Sequence, residues 1–337
     1  MTYLSSSLNV DFLQDENLTG QQALIIPVFE GSRLGQHART IDAEHCNFIS
    51  ENLRAAAQYD IYVSPETKIT PKFEGKSGQA IMFPAPEDAD FEKVVLLGMG
   101  SASSFDVESA KKTGAYLKGL ISDADLESSM LVADKTIETQ GSEQIFYTSL
   151  ATACYEAFYS FDKYKTQQPD SKKLRQLNIL IDDADSAKTQ FCEASILSDA
   201  KMWAQDLSNE PPNKLYPASY AREIREKLTP LGVKVTVIDY EEMQEKNMHA
   251  ALAVGGSADN KPCMVVMEWD GSQGKQKSPV GLVGKGVTMD TGGYNIKKAG
   301  MERMKMDMGG SASVVGCMQA LAQQNSQANV VAIVSLV

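Results

Sequence analysis

The sequence has little of what most hydrolytic or redox sites are built from. Its 337 residues include three histidines and five cysteines. His37, His45 and His249 are scattered, and none stands in HExxH or another metal-ligand spacing, which argues against a histidine-zinc hydrolase and for surface or core histidines. Cys46, Cys154, Cys192, Cys263 and Cys317 form no CxxC pair and are odd in number, which predicts reduced, buried and inert thiols in a cytoplasm rather than a disulfide framework. No serine occupies a GxSxG elbow. No apolar run approaches the length of a membrane span. The first twenty residues lack the basic-then-apolar pattern of a secretory signal, which makes the Asn17-Leu18-Thr19 sequon a chance match.

Positive charge is also scarce. Lysine and arginine number 32 against 44 aspartates and glutamates, a formal net charge of -12. A field of that sign repels phosphate backbones and anionic lipid, so neither nucleic acid nor a membrane is expected as a partner. The remaining composition, 43% hydrophobic and 23% charged, is that of a globular chain long enough for two domains, each with its own core.

Short apolar runs predict buried strands at 24–29, 93–100, 177–182, 233–239, 263–269, 279–285 and 329–337. Between them, helical periodicity appears at Ala43 to Gln58, Asp106 to Leu120, Glu143 to Tyr159, Ala184 to Leu207, Ala218 to Leu228 and Ser311 to Gln323. The alternation predicts an α/β fold: a smaller amino-terminal α/β domain over 1–183, then a connecting helix and a partial α/β domain with a mixed, largely parallel sheet over 184–337. The paired prolines of SNEPPN end the connecting helix. The polar stretch 162–176 reads as a linker or surface loop.

Gly98-Met99-Gly100 lacks the third glycine of a dinucleotide fingerprint, and Gly284-Lys285-Gly286 lacks the Ser or Thr and the spacing of a phosphate loop. What remains is a cluster of opposite charges. In GKGVTMDTGGYNIK and the following MKMDMGG, Lys285, Asp290, Lys297 and Asp307 gather around paired glycines at the carboxyl end of a predicted strand, where open α/β sheets place ligands. Residues 284–307 carry a net charge of +2 within an acidic chain. A solvated loop with surface ion pairs would have the same spacing.

These residues resemble the leucine aminopeptidases, the two-metal cytosolic enzymes that remove amino-terminal residues from peptides. The likeness rests on GKGVTMDTGG, NIK and MKMDMGG, extends back through SNEPPNKLYP and LAVGGSA, and covers the whole chain. It implies that Lys285, Asp290 and Asp307 bind two divalent ions, zinc or manganese, that Lys297 is the catalytic lysine, and that Met304 lines the substrate pocket. It also implies peptide substrates, bicarbonate as a base, a cytoplasmic homohexamer and a leucine-type preference. A lysine ligates a metal only as the neutral amine, a form that nearby dications and a second lysine favour. Lys297 as a cation can polarise the scissile carbonyl. Met289, Met301, Met304, Met306 and Met308 make a soft apolar wall, with core filling the better reading for Met301, Met306 and Met308.

Met289 replaces an aromatic residue common in the family, and the interval from Asp290 to Asp307 is one residue shorter than usual. The family's second signature, Asn-Thr-Asp-Ala-Glu-Gly-Arg, would follow the strand 329–337 and is absent from these 337 residues. Two dications bring four positive charges, against two negative ones on Asp290 and Asp307. A truncated chain with an incomplete site, inactive alone and prone to aggregate through apolar strand edges, is therefore expected, with Asp239, Glu241 and Glu302 as the nearest replacement ligands to consider. The alternative is a non-catalytic binding or assembly protein that retains the fold.

Overall fold

Leu24 to Phe29 is the most evenly apolar stretch of the amino-terminal half, and it becomes the strand around which the first sheet is built. The computed structural model describes residues 8–14, 18, 20–31, 34–58, 72–133, 143–167 and 175–337. Two compact units emerge, Met1–Ala194 and Ser195–Val337.

The first unit contains β1 (Leu8–Leu13), β2 (Gln21–Phe29), α1 (Gln36–Glu44), α2 (Phe48–Gln58), β3 (Ala80–Pro84), β4 (Phe91–Gly100), α3 (Val107–Asp123), β5 (Ser128–Val132), α4 (Glu143–Ala157) and β6 (Arg175–Leu180). Its sheet runs β1-β6-β5-β2-β4-β3, and every pairing is parallel except β3 with β4. Side chains alternate across β2. Leu24, Ile26 and Val28 pack with Ile41, Ile49 and Leu53 of α1 and α2. Ala23, Ile25 and Phe29 pack with Leu117, Phe146 and Leu150 of α3 and α4. Helices thus cover both faces, as a parallel sheet requires.

Several elements differ from the sequence expectation. β1, β3 and β5 were not anticipated: β1 and β3 are half-buried edges, and β5 is five residues opening with two serines. The single helix expected over 43–58 is two. Cys46 and Asn47 turn left-handed between them, with φ of 54° and 61°. The Asp42 carboxylate accepts the Ile49 and Ser50 amides at 2.7 and 3.1 Å, satisfying the start of α2. Gly98 to Gly100 complete β4 and form neither a phosphate loop nor a separate turn. The sequon residues Asn17 and Thr19, and 168–174 of the polar stretch, lie outside the described residues.

The units divide within α5 (Ala184–Asn209), ten residues past its start. The helix stops before Pro211 and Pro212, as the sequence predicts. The second unit continues with α6 (Pro217–Leu228), β7 (Lys234–Ile238), α7 (Tyr240–Glu245), α8 (His249–Gly255), β8 (Cys263–Asp270), β9 (Val280–Gly286), α9 (Gly309–Gln323) and β10 (Asn329–Leu336). Its sheet, β7-β8-β10-β9, is mixed. Only β9 and β10, joined across α9, pair in parallel, so the parallel majority resides in the six-stranded sheet. Val265 and Met267 of β8 and Val330, Ala332 and Val334 of β10 pack with Val315 and Met318 of α9 and Ile224 of α6.

Three expectations about burial need correction. The runs 233–239 and 279–285 predict buried strands, yet no residue of β7 is fully buried and Val280 and Val283 of β9 are 52% and 82% exposed, because β7 and β9 are the edges of the described sheet. The cysteines are free, but only Cys154 and Cys263 are buried; Cys46 lies exposed in the turn between α1 and α2, and Cys192 of α5 and Cys317 of α9 are exposed as well. Met306, read as core, is half exposed. It lies in the 3₁₀ turn Met301–Met306, where residues three apart share a side. Arg303 and Met306 take the exposed side and Met301 and Met304 the half-buried one, while Met308 enters the core. Among the described residues no helix is long and apolar enough to cross a membrane.

Arg175 is an unusual constituent of a strand, because it is buried. Its guanidinium donates to the carbonyls of Ile121, at 3.3 Å, and Leu126, closing the chain around the end of α3, and reaches the exposed Asp125 carboxylate at 3.0 Å. Arg175→Met should lower the stability of the first unit by about 1–3 kcal/mol, the cost of leaving buried carbonyls unpaired. Asp125→Ala should cost no more than about 1 kcal/mol, because the Asp125 carboxylate is exposed and its end of the pair is screened by water. Urea denaturation of the two variants checks this, and equal effects would mean that the ion pair, not the carbonyls, holds the corner.

Candidate functional site

β9 and α9 meet more closely than ordinary side chains allow. A Cβ on Gly284 would lie 2.6 Å from the Ser311 Cα, so only glycine admits the first turn of α9 against the strand. That turn is fixed from the other side as well. Ser311 is fully buried, donates to the Met308 carbonyl at 2.7 Å, and lies 3.1 Å from the Tyr220 hydroxyl of α6. Burial pushes the Tyr220 phenol up, so it remains a neutral partner. The consequence is local: Asp307, just ahead of α9, meets Lys285, near the end of β9, at 2.7 Å.

The loop after β9 leaves the sheet under restraint. Thr288 donates through both its amide and its hydroxyl to the Val337 carbonyl, each at 2.9 Å. Asp290 follows, and its Oδ1 accepts the Gly292 amide at 2.8 Å. Gly292, Gly293, Tyr294 and Asn295 then all have positive φ, between 48° and 81°. Two glycines accept this without strain; tyrosine and asparagine do so at a cost of about 1–2 kcal/mol each. The reversal returns the Lys297 amide to the Thr291 carbonyl at 3.1 Å and its ammonium to Asp290 Oδ2 at 2.6 Å. Lys297 Nζ also touches the Met304 sulfur at 3.2 Å. Farther along, Lys305 donates to the Asn209 carbonyl at 2.5 Å, tying the 3₁₀ turn to the last residue of α5.

The five residues singled out in the sequence therefore form one contiguous cluster. Lys285 joins Asp307, Asp307 neighbours Asp290, Asp290 joins Lys297, and Lys297 rests on Met304. Asp290 is held down to about 2, chiefly by the Lys297 ammonium, then by the Gly292 amide, with the Asp307 carboxyl contributing less. It is a carboxylate at any physiological pH.

The donor set suits a divalent ion in kind. Asp307 Oδ2 is buried with no hydrogen-bond partner, a state that a buried carboxylate oxygen tolerates poorly unless a cation or donor reaches it. Two carboxylates side by side supply hard oxygen donors. The count is short, since among the described residues no three of His, Cys, Asp and Glu come together as a metal-binding group. Asp239, considered as a further ligand, caps α7 by accepting the Glu242 amide at 2.9 Å. The histidines lie elsewhere: His37 is 2.8 Å from Asp182, and His45 packs edge-on to Phe91.

Some contributors were not visible in the sequence. Lys305 looks like one more basic residue in a charged turn, and Tyr220 and Ser311 are 91 residues apart. A cleft of about 850 Å³ beside the cluster, between α5 and α9, is lined by residues including Leu197, Ala204, Met306, Gly309 and Cys317, and not by Met304.

Comparison with known proteins gives this geometry a family. The catalytic-domain profile of the cytosol aminopeptidase family matches residues 202–337, and the profile of the same family's N-terminal domain matches 67–168. A protein of Methylorubrum populi described as a probable cytosol aminopeptidase is 35% identical over 268 residues, which span 79% of this chain and 53% of that protein. One of Rickettsia canadensis with the same description is 31% identical over 334 residues, 98% of this chain and 63% of that one. The chain thus spans little more than half the length of such relatives. Among solved structures, a tomato leucine aminopeptidase mutant superposes with a TM-score of 0.75 at 22% identity, covering 97% of this chain and 62% of that one. A bottromycin maturation enzyme in complex with Mn superposes with a TM-score of 0.70 at 21% identity, covering 94% and 59%. Both likenesses describe the fold. With both of its domain profiles matched in order along the chain, the protein belongs to the cytosol aminopeptidase family.

Proposed function

We propose that the protein is a metal-dependent aminopeptidase that releases amino-terminal residues, leucine among them, from peptides in the cytoplasm. The observation that carries this reading is the convergence of Lys285, Asp290, Lys297 and Asp307, drawn from four places along the chain, around the mouth of β9. Family membership supports the reaction class.

Asp290 and Asp307 would hold divalent metal, zinc or manganese, with Lys285 alongside. When bound, the metal supplies Lewis acidity and activates water for hydrolysis. Lys297 supplies a fixed positive charge toward the scissile carbonyl, held in place by Asp290 and by the reversed loop behind it. Met304 offers a polarisable contact beside that ammonium, suited to an apolar side chain at the substrate's first residue. Bicarbonate serves as base in the complete site, and the working assembly is a homohexamer.

Four outcomes test the proposal. In the full-length protein, Lys297→Ala should lower turnover by about 10² to 10³ while metal content is kept, the usual effect of removing an electrostatic donor; loss of metal with an unchanged rate per bound ion would refute the role. Asp307→Asn should weaken Mn²⁺ binding by about tenfold or more in calorimetric titration, at least the effect of losing an outer-sphere partner. Metal bound stoichiometrically without release of leucine from a leucine anilide by the full-length protein would instead favour a binding protein. Light scattering should report a hexamer, and a monodisperse monomer at micromolar concentration would count against that assembly.

A further inference from the structure

Far along the chain from the charged cluster, α1 and α2 of the first unit line an open cavity of about 550 Å³, a volume that lies within the range of about 300–1,000 Å³ usual for small-molecule sites. Its wall on the α2 side is a single helical stripe, in which Ser50, Leu53, Arg54, Ala57 and Gln58 recur at the spacing of one helix face. Leu34 and Leu53 are buried at its base, and Arg39 from α1 and Arg54 from α2 stand exposed at its rim.

The charge balance of this cavity is peculiar for so acidic a chain. Among the described residues neither Arg39 nor Arg54 takes part in an ion pair or a side-chain hydrogen bond. Asp42 also lines the cavity, but its Oδ1 already accepts the Ile49 and Ser50 amides at the start of α2, and the residue is buried. Two guanidinium groups therefore line a concave, partly apolar surface with no ion pair of their own, and the one carboxylate on that surface is engaged by backbone amides. A guanidinium fork matches a planar or tetrahedral oxyanion, and two forks on a concave surface favour one held between them. Asn47 adds a carboxamide to the same wall, where the Ser50 hydroxyl already donates to the Asn47 carbonyl at 3.0 Å.

We propose that this cavity is a binding site for a small organic anion, with a carboxylate or phosphate head between Arg39 and Arg54 and an apolar body on Leu34 and Leu53. The site is independent of the aminopeptidase reading, because it uses no residue of the second unit. Calorimetric titration of the full chain with phenyl phosphate, N-acetyl-leucine and inorganic phosphate separates the two head groups and tests the apolar body. At least one of the two organic anions should bind saturably and about tenfold or more tightly than inorganic phosphate, and Arg39→Gln and Arg54→Gln should each weaken it by about tenfold or more, the scale of a charged hydrogen bond. Both arginines are exposed, so unchanged circular dichroism should accompany the loss. The proposal is overturned if neither organic anion binds up to about 10 mM, if inorganic phosphate binds as well, or if the glutamine variants bind unchanged.

Discussion

The approach of α9 to β9 at Gly284 is the constraint on which the second unit's chemistry depends. Any side chain there would meet the backbone of Ser311, and the first turn of the helix would have to move away. Because it does not, a strand end and a helix start share one small volume, and a lysine and an aspartate 22 residues apart become partners at 2.7 Å. Interiors are packed too densely to absorb an added methyl group at such a contact. The buried Tyr220–Ser311 pair fixes the helix to α6, and Lys305 fixes the preceding turn to α5, so the site rests on three elements of one core.

The second loop reaches the same place by backbone conformation rather than packing. Four successive positive-φ residues reverse the chain between Asp290 and Lys297. Strain at Tyr294 and Asn295 is offset by the Asp290 contacts to Gly292 and Lys297. Lys285 and Lys297 each find a carboxylate, Asp307 and Asp290 respectively. One carboxylate oxygen of the cluster, Oδ2 of Asp307, is buried and left without a hydrogen-bond partner.

Much of this was legible in the sequence because it is written in local patterns. Continuous apolar runs marked β2, β4 and β6, and the prolines after α5 marked its end. The charged segment stood out as basic within an acidic chain, and its motif type carried the family. What was not legible depends on partners distant in sequence. β1, β3 and β5 take their identity from neighbouring strands, and the exposure of β9 follows from its edge position rather than its composition. The break between α1 and α2 arises from Asp42 capping a later helix, a contact without a glycine or proline to announce it. Met306 and Met308 have the same chemistry two residues apart, and only the 3₁₀ turn decides that one is exposed and the other enters the core.

The central claim is that Asp290 and Asp307 form the protein's part of a divalent-metal site with Lys297 beside it as a separate cation. Anomalous diffraction from crystals soaked in Mn²⁺ tests it directly. The account predicts a manganese peak touching carboxylate oxygens of both Asp290 and Asp307, with Lys297 not among the ligands. Manganese bound elsewhere, or a Lys285–Asp307 ion pair unchanged at saturating metal, would contradict it.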